Sequence, residues 1–120
     1  MKERRVAIAA ALDAAAIVLF VAIGRRNHDQ DPGLSGTFET AAPFLIALAV
    51  GWIVARAWRE PFSLVTGTIV WVVTIVLGML LRNLVFDRGT AASFIVVATL
   101  FTGALLIGWR LVARRLTRGS

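Results

Sequence analysis

A single carboxylate, Asp13, lies inside the first long apolar run of the chain, ALDAAAIVLFVAIG. It is about two residues from the middle of that run, which is roughly 3 Å from the membrane midplane at ~1.5 Å per residue. An aspartate at that depth costs about 2.5–3.5 kcal/mol, so it should face the protein interior. Ala9, Ala10 and Ala16 share its helix face and would let another helix approach closely. Asp13 is therefore either a proton- or cation-handling group or an interhelical hydrogen-bonding residue.

A second set of polar residues is expected at a similar depth. In the third apolar run Gly67, Trp71, Thr74 and Gly78 recur at intervals of three and four, which places them on one helix face. The fourth run adds two threonines. The candidate intramembrane proton, cation or polar site comprises Asp13, Trp71, Thr74, Thr99 and Thr102. The alternative is a packed core in which the threonines bond to their own backbones.

A candidate anion or headgroup site at the outer membrane face is formed by Arg25, His28 and Arg82. Arg25 and His28 are three residues apart and share a face if the first helix continues past Gly24. An arginine and a histidine at a helix end could bind an anion. The alternative is a solvated network of ion pairs with nearby acidic residues, which contributes little to stability.

The elements that must position these residues are four apolar runs in a chain of 120 residues that is 58% hydrophobic and 17% charged. Each is close to the roughly 20 residues that a membrane crossing needs, and lipid forces such runs to be helical. We expect an all-α fold, a four-transmembrane-helix bundle forming a single membrane domain over residues 1–120. The predicted spans are residues 6–24, 41–58, 62–81 and 91–112.

Lysine and arginine are distributed unevenly between the two sides of these spans. With the N-terminus inside, nine of these residues, Arg110 included, fall on the inner side and four on the outer side. The excess predicts a multi-pass protein of the cytoplasmic membrane with both termini inside. Trp58 and Trp109 would then lie near the inner interface, where indoles are enriched.

The two halves of the chain share short motifs. Gly51-Trp52 matches Gly108-Trp109, and Arg26-Asn27 matches Arg82-Asn83. One interpretation is an internal repeat of two hairpins of equal orientation, related by an axis along the membrane normal. The other is chance similarity between apolar segments.

Several function classes find no support in the residues. The chain has no cysteine and one histidine, and it contains no Ser/His/Asp set, phosphate loop or paired catalytic carboxylates. We therefore expect no enzyme activity, no cofactor and no metal site. The net charge of +6 comes from residues at the ends of apolar runs, so the expected partner is the lipid bilayer and not nucleic acid. A homo-oligomer is also expected if the protein transports a substrate, because four membrane spans are too few to surround a transport pathway.

Taken together, the spaced motifs resemble a domain-of-unknown-function family of small four-span membrane proteins of bacteria and archaea. The motifs are Asp13, Gly24-Arg25-x-x-His28, Pro43-Phe44, Gly51-Trp52, Pro61, Gly67 with Trp71, Gly78 with Arg82, Gly89-Thr90 with Phe94, and Trp109-Arg110. The resemblance implies a prokaryotic integral membrane protein and no assigned activity.

A looser similarity is to the small multidrug-resistance transporters, which also have four short spans, an acid in the first and an aromatic residue in the third. Asp13 and Trp71 occupy the corresponding places. The chain departs from that pattern in having aspartate for glutamate and a long, charged first loop. Two functions remain open: a proton- or cation-coupled transport or permeation unit centred on Asp13, or a non-transporting accessory or lipid-interacting protein that uses the outer Arg/His face.

Overall fold

The structure, a computed structural model, describes residues 2–27, 34–84 and 92–118, except the side chains of residues 25–27, 34–38, 92–94 and 117–118. These residues form four helices, α1 (Lys2–Asn27), α2 (Leu34–Ala55), α3 (Leu64–Leu84) and α4 (Ala92–Arg118). The described ranges contain no strand. The predicted all-α, four-helix architecture is confirmed.

Three of the helices are long and apolar enough to cross a membrane. The stretches are Lys2–Gly24 of α1, Leu64–Leu84 of α3 and Ile95–Leu116 of α4, with mean hydropathies of 2.6, 2.4 and 2.0. The apolar part of α2, Glu39–Ala55, is shorter than these. Many large aliphatic side chains on all four helices point outward, including Ile53, Val65 and Leu100, each more than 60% exposed. A surface this apolar is suited to lipid contact.

The end of α2 differs from the predicted span 41–58, because the helix stops three residues earlier, at Ala55. Arg56 adopts a left-handed backbone with φ of 51°. The Ala57 N–H donates to the Trp52 carbonyl at 3.0 Å and the Arg56 N–H to the Ile53 carbonyl at 3.2 Å. This pattern terminates helices most often at glycine, and an L-residue in that conformation costs about 1–2 kcal/mol.

The start of α3 is fixed by a serine. The Ser63 hydroxyl accepts a hydrogen bond from the Val65 N–H at 3.2 Å, and the Ser63 carbonyl accepts the first helical bond from Gly67 at 3.0 Å. Ser63 is thus the N-cap of α3. The predicted start of span 3 at residue 62 is two residues early, because the cap lies beyond Pro61.

The helices form a ring in which each contacts its neighbours in the chain and α4 closes on α1. Among the described residues, no Cα atom of α1 lies within 8 Å of one in α3, and none of α2 within 8 Å of one in α4, so these pairs are diagonal. The core includes Ile17, Phe44 and Val70. α2 and α3 lie close together at Gly51, where a Cβ atom would be 3.3 Å from the Val70 carbonyl oxygen. The small side chain of α2 at this position lets the two helices pack closely.

Replacing Gly51 with leucine should lower the free energy of unfolding by about 2 kcal/mol, because the added side chain must separate α2 from the α3 backbone. Gly108→Leu is the matched control, since nothing lies within 4 Å of a Cβ at that position. Thermal unfolding in the same detergent measures both. Equal melting temperatures for the two variants would contradict the close contact.

Candidate functional site: a buried aspartate–arginine pair

Asp13 forms a two-point ion pair with Arg110 of α4. Its Oδ1 accepts a hydrogen bond from one terminal guanidinium nitrogen at 2.9 Å, and its Oδ2 accepts one from the other at 2.8 Å. Both side chains are 0% exposed. Fork-to-fork pairing of this kind is the strongest geometry available to an arginine and a carboxylate.

Two tryptophans complete the surroundings of the carboxylate. The Trp52 indole N–H donates to Oδ2 and the Trp109 indole N–H to Oδ1, both at 2.8 Å. Each oxygen of Asp13 therefore accepts two hydrogen bonds. Because all four partners are donors, the site fits an ionised carboxylate, which only accepts, and not a protonated one, which must donate.

Arg110 is held on its other edge by backbone carbonyls. Its Nε–H donates to the Pro61 carbonyl and a terminal N–H to the Leu106 carbonyl, both at 2.9 Å. Four of its five N–H groups are thus engaged. The contact with Pro61 ties the α2–α3 loop to the ion pair.

An aromatic stack covers the pair. The Arg110 guanidinium carbon lies 4.4 Å from the centre of the Trp109 ring, and Phe62 of the α2–α3 loop meets that indole edge-on at 5.3 Å. The exposed Arg5 lies over Phe62, 4.6 Å from its ring centre. Cation–π contacts are stronger where the cation is shielded from water, as it is for Arg110.

Space for the guanidinium is provided by α3. A Cβ atom at Gly67 would lie 2.8 Å from Cδ and 3.3 Å from Nε of Arg110. Glycine is therefore the only residue that fits there without moving the arginine. With this contact, all four helices and one loop contribute to the site.

The site is off-centre in the bundle. Trp52 lies three residues before the end of α2 and Gly67 three residues after the start of α3. At ~1.5 Å per residue both are about one turn from the α2–α3 loop. Asp13 is near the middle of α1, but α1 is longer than α2 and α3, so the middle of α1 is not the middle of the bundle.

The predicted companions of Asp13 make other contacts. The Trp71 indole N–H donates to the Thr99 carbonyl at 2.9 Å, joining α3 to α4, and the ring packs where a Cβ at Gly103 would be 2.7 Å away. Among the described contacts, no hydrogen bond links Asp13 to Trp71 or to the three threonines.

Two of the three predicted threonines bond to the backbone of their own helix. The Thr99 hydroxyl donates to the Ile95 carbonyl at 2.6 Å, and that of Thr102 to the Ala98 carbonyl. This is the alternative that the sequence left open. The Thr74 hydroxyl is buried without a hydrogen-bond partner in the described part of the chain, and nothing in the fold explains it.

The predicted outer anion site stays a prediction. His28 and the side chain of Arg25 lie outside the described residues, and Arg82 is partly buried near the end of α3. The described chain therefore does not test whether the three come together.

Sequence reasoning missed the residues that hold Asp13. The charge count places Arg110 at the inner membrane surface, whereas in the structure its guanidinium is fully buried against Asp13. Without Arg110, eight basic residues lie on the predicted inner side against four on the outer side, so the excess that predicts the orientation is still present. The sequence feature that could have pointed to these residues is the repeated pair Gly51-Trp52 and Gly108-Trp109. In the structure the two indoles donate to opposite oxygens of the Asp13 carboxylate.

The motifs that carry the family resemblance also meet here. Asp13, Trp52, Gly67 and the pair Trp109-Arg110 all contribute to the site, together with the carbonyl of Pro61. These residues come from separate parts of the chain and share no local pattern, so their common role is visible only in the fold.

Comparisons with known proteins place the chain in an uncharacterised group. Searches of curated proteins and of solved structures found no match. The family profile DUF3054, described as a protein of unknown function, matches residues 10–113, a range that contains every residue of the Asp13 site except Arg5 at its edge. The chain therefore belongs to DUF3054, a family of proteins of unknown function.

Proposed function

We propose that this protein is a non-transporting accessory protein of the cytoplasmic membrane, with the Asp13–Arg110 pair as a structural lock between α1 and α4. The observation that carries the proposal is the saturation of Asp13 by four donors at 2.8–2.9 Å with no exposed surface. A carboxylate in that state has no free position for a transported proton or cation. No catalytic role and no cofactor are proposed.

Transport centred on Asp13 is the second candidate. It is favoured by one observation, an ionisable pair buried among apolar helices, which often marks an ion pathway. Protonating Asp13 would require at least one N–H donor to turn away and would leave Arg110 as an unneutralised buried cation. Such a charge costs several kcal/mol, so a transport cycle would need a large rearrangement.

The lock predicts that reconstituted protein does not dissipate a proton gradient. Liposomes that contain the parent should hold an imposed pH difference as long as empty liposomes, as measured with a trapped pH-sensitive dye. Asp13→Asn should leave that result unchanged. A leak that the parent supports and that Asp13→Asn abolishes would instead establish the transport candidate.

The orientation predicts opposite accessibility for the two sets of loops. Single cysteines at Gln30 or Asp87 should react with a membrane-impermeant thiol reagent added to intact cells, and cysteines at Arg59 or Ser120 should react only after permeabilisation. The native chain has no cysteine, so the background is clean. Labelling of Ser120→Cys in intact cells would reverse the topology.

A further inference from the structure

A polar groove of about 550 Å³ lies beside the α2–α3 loop. Its charged lining is Lys2, Arg56, Arg59 and Glu60. The groove is distinct from the Asp13 site, since neither member of the ion pair lines it. Three cations against one carboxylate leave it with a formal charge of +2.

The three cations of the groove have no ion-pair partner among the described residues. None of the side chains of Lys2, Arg56 and Arg59 forms an ion pair or hydrogen bond with any other residue in the described ranges. Glu60 lines the same groove without bridging to them. Three like charges held around one concavity repel one another, and an anion in the groove would relieve that repulsion.

The position of Arg56 is unfavourable for the fold. It occupies the left-handed residue at the end of α2, where glycine fits best, with φ of 51°. A strained residue in the wall of a groove is a reason to look for a binding role. Here the residue in that conformation, Arg56, is one of those that line the groove.

The N-terminus of α3 also borders the groove. Ser63, which caps this 21-residue helix, and Thr66 in its first turn are both lining residues. The positive end of the helix dipole adds to the field of the three cations. Phosphate groups favour this combination of backbone dipole, hydroxyl and guanidinium.

One wall of the groove is apolar and continues along the bundle. Val65, 69% exposed, and Ile69 line it, and Val72 and Val76 extend the same face of α3 outward. Their spacing of four, three and four residues gives one continuous stripe. A cationic pocket that opens onto an apolar stripe fits a ligand with a charged head and an acyl chain, and fits a free anion less well.

We propose that this groove binds the phosphate of an anionic phospholipid, with Arg56 and Arg59 contacting the headgroup and an acyl chain lying along the α3 stripe. The proposal does not depend on whether the protein transports a proton or cation through the Asp13 site. Under the predicted orientation the groove faces the inner leaflet, where anionic lipid attracts basic residues.

The test titrates the full chain in neutral detergent with phosphatidylglycerol, phosphatidylcholine or inorganic phosphate, and counts bound molecules by native mass spectrometry. We expect phosphatidylglycerol to bind more tightly than either of the others. Arg56→Gln with Arg59→Gln should weaken that binding roughly 25-fold, at about 1 kcal/mol per basic residue. The matched control, Arg4→Gln with Arg115→Gln, removes two exposed charges that do not line the groove and should change binding less than about threefold in 0.15 M salt.

A second variant separates binding from folding. Arg56→Gly should raise the melting temperature, because glycine relieves the left-handed strain, and should weaken phosphatidylglycerol binding about fivefold. If the groove and control variants lose equal affinity for phosphatidylglycerol, binding depends on overall charge and the proposal is overturned. Binding of phosphatidylcholine as tight as that of phosphatidylglycerol would overturn the headgroup assignment, and equally tight binding of inorganic phosphate would overturn the lipid as the ligand.

Discussion

Replacing Arg110 with methionine is expected to lower the free energy of unfolding by about 3–5 kcal/mol. The substitution keeps much of the side-chain volume but leaves Asp13 as a buried charge whose remaining donors are the two indoles. It also leaves the Pro61 carbonyl without its partner. Chemical or thermal unfolding in a fixed detergent mixture, followed by far-ultraviolet circular dichroism, measures the loss.

Two further variants distinguish an ion pair from simple packing. Asp13→Leu combined with Arg110→Met removes both charges, so it should cost less than Arg110→Met alone, although two indole N–H groups then lack an acceptor. Arg110→Lys keeps the charge but cannot bond both carboxylate oxygens in a fork while reaching Pro61, and should fall between the parent and Arg110→Met. If the loss of unfolding free energy in the double variant equals the sum of the losses in the two single variants, the two side chains are not coupled.

Gly67→Ala is expected to destabilise the protein by about 3 kcal/mol, the upper part of the range for overpacking a buried site. The added methyl group would lie 2.8 Å from Cδ of Arg110, a side chain that four hydrogen bonds prevent from moving aside. The loss therefore includes distortion of the ion pair as well as steric repulsion.

Gly108→Ala is the matched control, because it is a glycine in a helix with nothing within 4 Å of a new Cβ. It should stabilise the helix by up to about 1 kcal/mol, since alanine has the higher helix propensity. The two melting temperatures should thus move in opposite directions. If the melting temperature of Gly67→Ala is equal to or higher than that of Gly108→Ala, α3 does not confine Arg110.

The lock changes what Asp13→Asn should do to the fold. If Asp13 is a neutral interhelical hydrogen-bonding residue, the sequence alone predicts that asparagine is nearly silent, because the two side chains then form similar bonds. In the structure every partner of Asp13 is a donor, so the amide nitrogen of asparagine would face another donor. It would also leave Arg110 without a counter-charge. A lower melting temperature with no change in proton leak is the expected combination.

The amino-acid sequence by itself determined the four helices, the apolar character that would let them cross a membrane, and the inward placement of Asp13. These follow from local properties: the length and composition of apolar runs, and the cost of a carboxylate in lipid. Helix ends were less accurate, because Arg56 ends α2 in a conformation that favours glycine and Ser63 starts α3 after the proline. Neither feature changes the hydropathy of the run.

Only the tertiary structure decided which residues meet Asp13. Arg110 lies 97 residues away in the chain and Trp52 lies 39 away, so no local spacing relates them. Trp71 and the threonines are expected at the depth of Asp13, but the Asp13 site lies about one turn from the α2–α3 loop and Trp71 lies seven residues into α3. An arginine near the end of an apolar run can extend to the membrane surface or turn inward. The gap at Gly67, the carbonyl of Pro61 and the carboxylate of Asp13 together favour the inward position, and they come together only when all four helices have packed.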